Sequence, residues 1–384
     1  MGRALRARFD ARRRDGDLPV SGSGVWRFRE LLLGGSGPTV THPEGDTPLY
    51  RRDAIADYVG HDDLALKHEG ENPTGSFKDR GMTVATTQAV RAGATAVACA
   101  STGNTSASMA AYAAQAGLPA LVFVPAGKVA AGKLAQALAY GARTLLVDGD
   151  FDACLRLVRQ ASEALGIALL NSINPWRLEG QKTIVFEMLQ QRGWDPPDWI
   201  VVPAGNLGNT SAFGKALREA RGLGLVGHVP RIAAVQAAGA NPFYRSYRAG
   251  FRQRFPVAAD TVATAIRIGD PASHDRAVRA IRETKGVVTQ VSDREILEAK
   301  AVVDASGIGC EPASAAAVAG ARRLVRERTI RPGESVVAVL TGHVLKDPGI
   351  VMEYHAKSGP HRNPPVRIPP ELGAVEKLLA RWRG

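Results

Sequence analysis

Cysteine is scarce: Cys99, Cys154 and Cys310 stand far apart in 384 residues, with no Cys-x-x-Cys pair. That spacing argues against a disulfide framework and a thiolate zinc site, and leaves each as a small buried side chain. The eight histidines are scattered without metal-ligand spacing, so no metal centre is expected. No apolar run nears the roughly 20 residues that a spanning helix needs. The opening residues contain no apolar segment of the kind a secretory signal requires. Asp10, Asp15 and Asp17 in the Arg-rich start also argue against an organelle-targeting peptide, so a cytoplasmic chain is expected. Interleaved aromatic and basic residues, the mark of many nucleic-acid modules, are missing as well.

The charge that is present is unevenly placed. Of the net +12, residues 1–14 carry +5, while residues 245–254 and 355–384 carry +4 each. The excess therefore lies in two tails and one loop, not along a groove, and neither nucleic acid nor membrane is expected as a partner. Such a surface aids solubility and attracts anionic metabolites.

Residues 1–42 read as a polar arm rich in Gly and Arg, with an apolar patch at 25–33 and a loose start. From 43 to 345, short apolar runs alternate with amphipathic stretches. Strands are expected at 96–100, 120–124, 144–147, 168–170, 199–202, 232–235, 287–291 and 336–340, each apolar throughout. Helical spacing of Phe151, Cys154, Leu155, Val158, Ala161 and Leu165 fills one interval, and 128–140 is Ala-rich and helical. Ser292 and Glu295 have capping-box spacing, and Pro312 suits a first helical turn. Repeated strand–helix units imply an α/β fold. One sheet spanning about 300 residues would be unusually long. Two doubly wound, mainly parallel α/β subdomains facing a cleft are therefore expected, the smaller at roughly 85–175, followed by a tail at 346–384.

Four stretches carry chemistry. Asn-Pro-Thr-Gly-Ser-Phe-Lys-Asp-Arg-Gly (72–81) places Lys78 after a bend and before a helix, where an amine can serve covalent catalysis. Ser101-Thr102-Gly103-Asn104-Thr105-Ser106 follows a strand and offers backbone N–H groups and a helix dipole to an anion. Gly205-Asn206-Leu207-Gly208-Asn209-Thr210 has glycines three apart, which let backbone wrap a phosphate. It lacks the Gly-Lys-Ser/Thr of a P-loop and the third glycine of the dinucleotide fingerprint. Thr341 ends a strand, where α/β sheets collect ligands, and its hydroxyl can hold a heteroaromatic nitrogen.

Together these stretches are similar to those of the threonine synthases, in the tryptophan-synthase-β-like, fold type II group of pyridoxal phosphate enzymes. Glu-Gly-Asp-Thr-Pro-Leu (44–49), Asn-Pro-Trp-Arg-Leu-Glu-Gly-Gln-Lys-Thr (174–183), Ala-Ile-Arg-Ile-Gly-Asp-Pro-Ala-Ser (265–273) and the stretch from Thr341 to Pro348 extend the likeness over about four fifths of the chain. The resemblance implies pyridoxal 5'-phosphate in the cleft, Lys78 in a Schiff base with it, and Asn104 on its phenolic oxygen. It implies that Gly205, Asn206, Leu207, Gly208 and Asn209 hold its phosphate, with Thr341 on its ring nitrogen. It further implies O-phospho-L-homoserine as substrate, clamped through its phosphate by Asn171, Ser172 and Arg177, with Ser101, Thr102 and Thr105 at its carboxylate. Water and this substrate would yield L-threonine and phosphate, in a homodimer. A threonine or serine dehydratase, or another β-replacement enzyme of the same fold, shares the lysine and the phosphate loop. About forty residues follow Thr341, fewer than a sensing domain of ordinary size, so no threonine feedback domain is expected.

Overall fold

Ten strands order the molecule, seen in a computed structural model that describes residues 1–15, 22–127, 131–357 and 360–383. They are β1 (Leu49–Tyr50), β2 (Leu64–His68), β3 (Ala96–Ala100), β4 (Ala120–Pro125), β5 (Arg143–Val147), β6 (Ile167–Leu169), β7 (Trp199–Pro203), β8 (Arg231–Ala237), β9 (Val287–Val291) and β10 (Val336–Leu340). Six form one sheet in the order β1-β2-β10-β7-β8-β9, and four form a second in the order β5-β4-β3-β6. Every pairing is parallel except that of β1 with β2. Parallel strands need crossovers, and the helices between them cover both faces.

The large sheet shows that double cover residue by residue. Side chains alternate across a strand. Ile200, Val202, Val337 and Val339 join one apolar cluster with Phe186, Phe213 and Phe243. Their neighbours Trp199, Val201, Val336, Ala338 and Leu340 join another, with Ile296 and Leu324. Helix Asp293–Ala305 opens with the full capping box, Ser292 and Glu295 each bonding the other's backbone. Helix Pro312–Arg326 starts with its proline in the first turn.

Three features depart from the sequence reading. Strand β2 was not expected, because Lys67 and His68 interrupt its apolar run, yet all five residues are buried. Lys67 Nζ donates to Glu187 Oε1 at 2.5 Å, Thr47 O at 2.6 Å and Gln191 Oε1 at 3.0 Å. His68 uses Nε2 on Gly309 O and Nδ1 on the Gly70 N–H. Strand β5, expected to be covered, is an exposed edge, with Leu146 66% accessible.

The first residues are not loose: Gly2–Asp15 is a helix. Phe9 is fully buried against Phe28 and Trp194, and Asp10 accepts hydrogen bonds from Gln190 and the Trp194 indole. About four turns rich in arginine dock because Phe9 and Asp10 find partners at Gln190 and Trp194, some 180 residues away. Residues 16–21 of the arm, and 128–130 of the expected 128–140 helix, lie outside the described residues.

A buried charge network ties the arm to the sheet. Arg80 donates to Glu69 through Nε and Nη2 at 2.6 and 2.9 Å, and to Glu187 through Nη2 and Nη1 at 2.6 and 3.1 Å. Arg27 Nη2 reaches the same Glu187 at 2.9 Å. Burial alone would raise the Glu187 pKa, but Arg80, Lys67 and Arg27 outweigh it and hold the carboxylate well below its ordinary range.

Candidate active site

The bend before Lys78 is fastened from both sides. Asp79 accepts Thr74 N at 2.7 Å, Thr74 Oγ1 at 2.6 Å and Ser108 Oγ at 2.5 Å. Phe77 N donates to Thr341 O at 3.0 Å, and His343 N to Gly75 O at 2.9 Å, so the bend is stitched to the end of β10. Lys78 is then the first residue of helix Lys78–Arg91, half-buried. Its Nζ lies 4.2 Å from the Phe77 ring centroid and bonds to no described side chain. Burial, then the nearby Arg177 charge, pushes its pKa down to about 7, with Glu311 opposing. An amine with that pKa is partly neutral near pH 7, the state a base or nucleophile requires.

Arg177 comes near Lys78 because two helices cross at contact. Helix Pro175–Gln181 is capped by Asn174, whose side chain accepts from Trp176 N. A Cβ on Gly180 would lie 1.7 Å from Arg80 O, so only glycine lets this helix meet helix Lys78–Arg91. Arg177 is 1% exposed, and only Nη1 finds a partner, Leu170 O at 3.2 Å. Its Nε and Nη2 are buried without partners, and burial lowers its pKa to about 10. Among the described residues no carboxylate pairs with it.

The second cradle lies between β7 and helix Gly208–Gly222. Gly205 passes so close to Ile266 that a Cβ would be 2.8 Å from the Ile266 Cα. Leu207 adopts a left-handed conformation, φ 63°, turning the chain into the helix N-terminus. Asn206 works at both ends of its side chain, accepting Ala272 N at 2.7 Å and donating to Ser172 Oγ at 2.5 Å. That fastens the 265–273 stretch and the loop after β6 to the cradle. Asn209 Oδ1 and Thr210 Oγ1 are buried and unpartnered at the start of the helix.

The remaining expected residues gather at strand ends. Ser101 and Thr102 form the turn after β3, and Asn104 and Thr105 open helix Asn104–Ala116; all four are half-buried. Ser101 Oγ accepts Gly103 N, while the hydroxyls of Thr102 and Thr105 bond to none of the described residues. Asn171 braces the same turn, its amide paired with Ala100 N at 3.0 Å and Ala100 O at 3.1 Å. That leaves one Nδ2 hydrogen for anything else.

Two residues here were not singled out for chemistry in the sequence. Glu311, which precedes the helix proline Pro312, is 4% exposed and accepts Asn104 Nδ2 at 3.0 Å and Thr341 Oγ1 at 3.4 Å. Ser314, on the following turn, bonds Thr341 and Gly342. The available signal was an acid ahead of an Ala-rich run, which resembles any helix start.

These residues fit pyridoxal phosphate. There is an unpaired amine for an aldehyde, an orphaned hydroxyl, Thr210 Oγ1, at a helix N-terminus for a phosphate, and neutral Asn and Thr donors at two strand ends for ring atoms. The comparisons agree. Residues 40–342 match the family model described as pyridoxal-phosphate dependent enzyme. Threonine synthase of Methanosarcina acetivorans is 51% identical over 331 residues, covering 86% of this chain and 82% of that one. Threonine synthase of Methanocaldococcus jannaschii is 44% identical over 359 residues, covering 93% and 87%. The crystal structure of Escherichia coli threonine synthase superposes with a TM-score of 0.65 at 24% identity, over 88% of this chain and 81% of that one, a likeness of fold. The chain belongs to the pyridoxal-phosphate dependent enzymes and, among them, to the threonine synthases.

Proposed function

We propose that this enzyme acts on O-phospho-L-homoserine, with Lys78 moving the protons and Arg177 clamping the substrate's phosphate. The observation that carries the reading is the Arg177 guanidinium, buried with two unpaired nitrogens and close enough to lower the Lys78 pKa. A buried cation without a counter-charge is costly, and a bound anion removes that cost. Two phosphates are at issue, and each gets its own cradle. Gly205, Asn206, Leu207, Gly208 and Asn209 take the cofactor's through backbone N–H groups. Arg177, Ser172 and the Asn171 loop take the substrate's. Asn104 is assigned to the cofactor's phenolic oxygen and Thr341 to its ring nitrogen. Ser101, Thr102 and Thr105 are assigned to the substrate carboxylate, whose charge suits the N-terminus of helix Asn104–Ala116.

Pyridoxal phosphate, when bound, supplies an aldehyde carbon that takes up amines and a conjugated ring that spreads negative charge away from reacting carbons. Lys78, partly neutral near pH 7, takes the proton from Cα of the substrate. Loss of a second proton, from Cβ, lets phosphate leave Cγ with the C–O electron pair. Arg177 meets the charge that grows on the departing oxygens, as a fixed guanidinium does best in a site shielded from water. A hydroxyl from water then adds at Cβ, and protons return to Cγ and, through Lys78, to Cα. The products are L-threonine and inorganic phosphate.

Purified protein given pyridoxal phosphate and O-phospho-L-homoserine should release phosphate and L-threonine in equal amounts. Ammonia and a 2-oxo acid formed from L-threonine, without phosphate release, would instead identify a dehydratase. The homodimer implied by the resemblance and the cytoplasmic location expected from the opening residues belong to the same proposal; sedimentation and cell fractionation check them.

A further inference from the structure

Glu311 occupies an unusual place between the two subdomains. Asn104 belongs to the four-stranded half and Thr341 to the six-stranded half, and one carboxyl group touches both. Its backbone is anchored at the same point, Glu311 N donating to Gly342 O at 3.0 Å. Gly342 has no room for a side chain there, since a Cβ would lie 2.5 Å from the Glu311 carboxyl carbon. No cation pairs with Glu311 in a salt bridge among the described residues, so it is not held as half of an ion pair.

A count of protons gives the carboxyl a definite task. Ser314 Oγ accepts Thr341 N at 2.8 Å and Gly342 N at 2.9 Å, which occupies both of its lone pairs. Toward Thr341 Oγ1, 3.1 Å away, Ser314 can then only donate, its hydrogen also facing Gly342 O at 3.3 Å. Thr341 Oγ1 therefore has one lone pair and its own hydrogen left to share between Glu311 and a ligand. If Glu311 is ionised, the Thr341 hydrogen turns to Glu311 and the hydroxyl meets the ligand as an acceptor. If Glu311 is neutral, it donates to Thr341, and the Thr341 hydrogen is released to the ligand.

We propose that Glu311 is a positioning residue that orients Asn104 and Thr341 together and sets the direction of the hydrogen bond between Thr341 and the cofactor's ring nitrogen. The inference rests on the cofactor placement given under Proposed function. It bears on catalysis because a ring nitrogen met by an acceptor carries a proton and draws more charge from the reacting carbons than one met by a donor. Burial raises the Glu311 pKa, opposed by Asn104, Lys346, Lys78 and Thr341. The titratable groups facing it are Lys78 from helix Lys78–Arg91 and Lys346 from the turn Val344–Lys346, with the neighbouring thiol Cys310 buried in its protonated form.

The experiment compares wild type, Glu311→Gln and Glu311→Ala. Each protein is titrated with pyridoxal phosphate by absorbance, and each is loaded with cofactor carrying ¹⁵N in its ring. Glu311→Ala, which loses both contacts, should bind the cofactor about tenfold more weakly, the worth of one to two hydrogen bonds. Glu311→Gln keeps a donor and an acceptor and should bind within about threefold of wild type. The ¹⁵N signal should move with pH in wild type as Glu311 titrates and stay fixed in Glu311→Gln, which cannot titrate. A signal that moves alike in both, or stays fixed in both, overturns the inference, as does wild-type affinity in Glu311→Ala. Should Glu311→Ala fail to fold, the comparison of wild type with Glu311→Gln still decides. Failure of the wild type itself to take up cofactor through Lys78 would overturn the cofactor placement instead, so the two failures are distinguishable.

Discussion

Two places in this molecule each set a buried arginine near a lysine, and they could hardly be treated more differently. Behind the sheet, every guanidinium nitrogen of Arg80 has a hydrogen-bond partner, and Lys67 donates to three acceptors. In the cleft, Arg177 leaves two nitrogens unpaired, and Lys78 bonds to no described side chain. Residue type would not separate the two pairs, nor would the burial of the two arginines. What separates them is whether the chain supplies its own counter-charges: Glu69 and Glu187 answer the first pair, and none of the described carboxylates forms an ion pair with the second. A charge that folding satisfies is part of the structure, whereas a charge left unsatisfied awaits a ligand.

That contrast can be broken, starting with the largest effect. Lys78→Ala should cut phosphate release from O-phospho-L-homoserine by about 10³-fold, the scale of a lost proton-transfer group. The same variant should lose the visible band of lysine-bound cofactor while its urea midpoint does not fall. Glu187→Gln should do the reverse, losing about 3–5 kcal/mol of stability in urea unfolding because Arg80, Lys67 and Arg27 lose a shared counter-charge. The sign with pH follows from the lowered pKa of Glu187. Its contribution is present above the unfolded value of about 4.3 and lost as pH falls through the folded value, so the variant should flatten the acid limb of the stability curve.

Arg177→Met should lower kcat/KM for O-phospho-L-homoserine by about 10²-fold, as loss of one partner of a buried charged contact does. Its unfolding midpoint should stay level or rise, because an unpaired buried cation leaves with it. If Arg177→Met destabilises as strongly as Glu187→Gln, the distinction between the two regions fails. The smallest effect is a titration. In cofactor-free protein, acylation of Lys78 should reach half its maximal rate near pH 7, against about 10.4 for solvent lysines. Half-reaction near 10 would show that the amine is not desolvated as described.

Much of this was legible in the chain itself, for local reasons. Strands such as β3, β7, β9 and β10 are short apolar runs closed by Gly or Ser turns, and their signal lies within about ten residues. The capping box at Ser292 and Glu295 is equally local. What escaped depends on distant partners. Lys67 and His68 look like the end of a strand until Glu187 and Gly309 are brought beside them. Glu311 looks like a helix start until Asn104, 207 residues earlier, is found at its carboxyl. The helix at the N-terminus was misread because six arginines dominate its composition, while Phe9 and Asp10 decide where it lies. Strand β5 was expected to be covered because an apolar run does not reveal that it will be last in its sheet.

Phe9 shares its apolar cluster with Ala204, Val202 and Leu207, the residues that carry the backbone into the glycine turn. The opening helix is thus one wall of that shared core, resting on Phe28 and Trp194 and passing Gly224 at the far end of helix Gly208–Gly222. Clipping the chain after residue 15 would uncover Phe28 and Trp194 and let water reach the tail end of the helix whose N-terminus forms the glycine turn. An affinity tag added ahead of Met1, by contrast, would start from a residue that is 84% exposed and leave that wall standing.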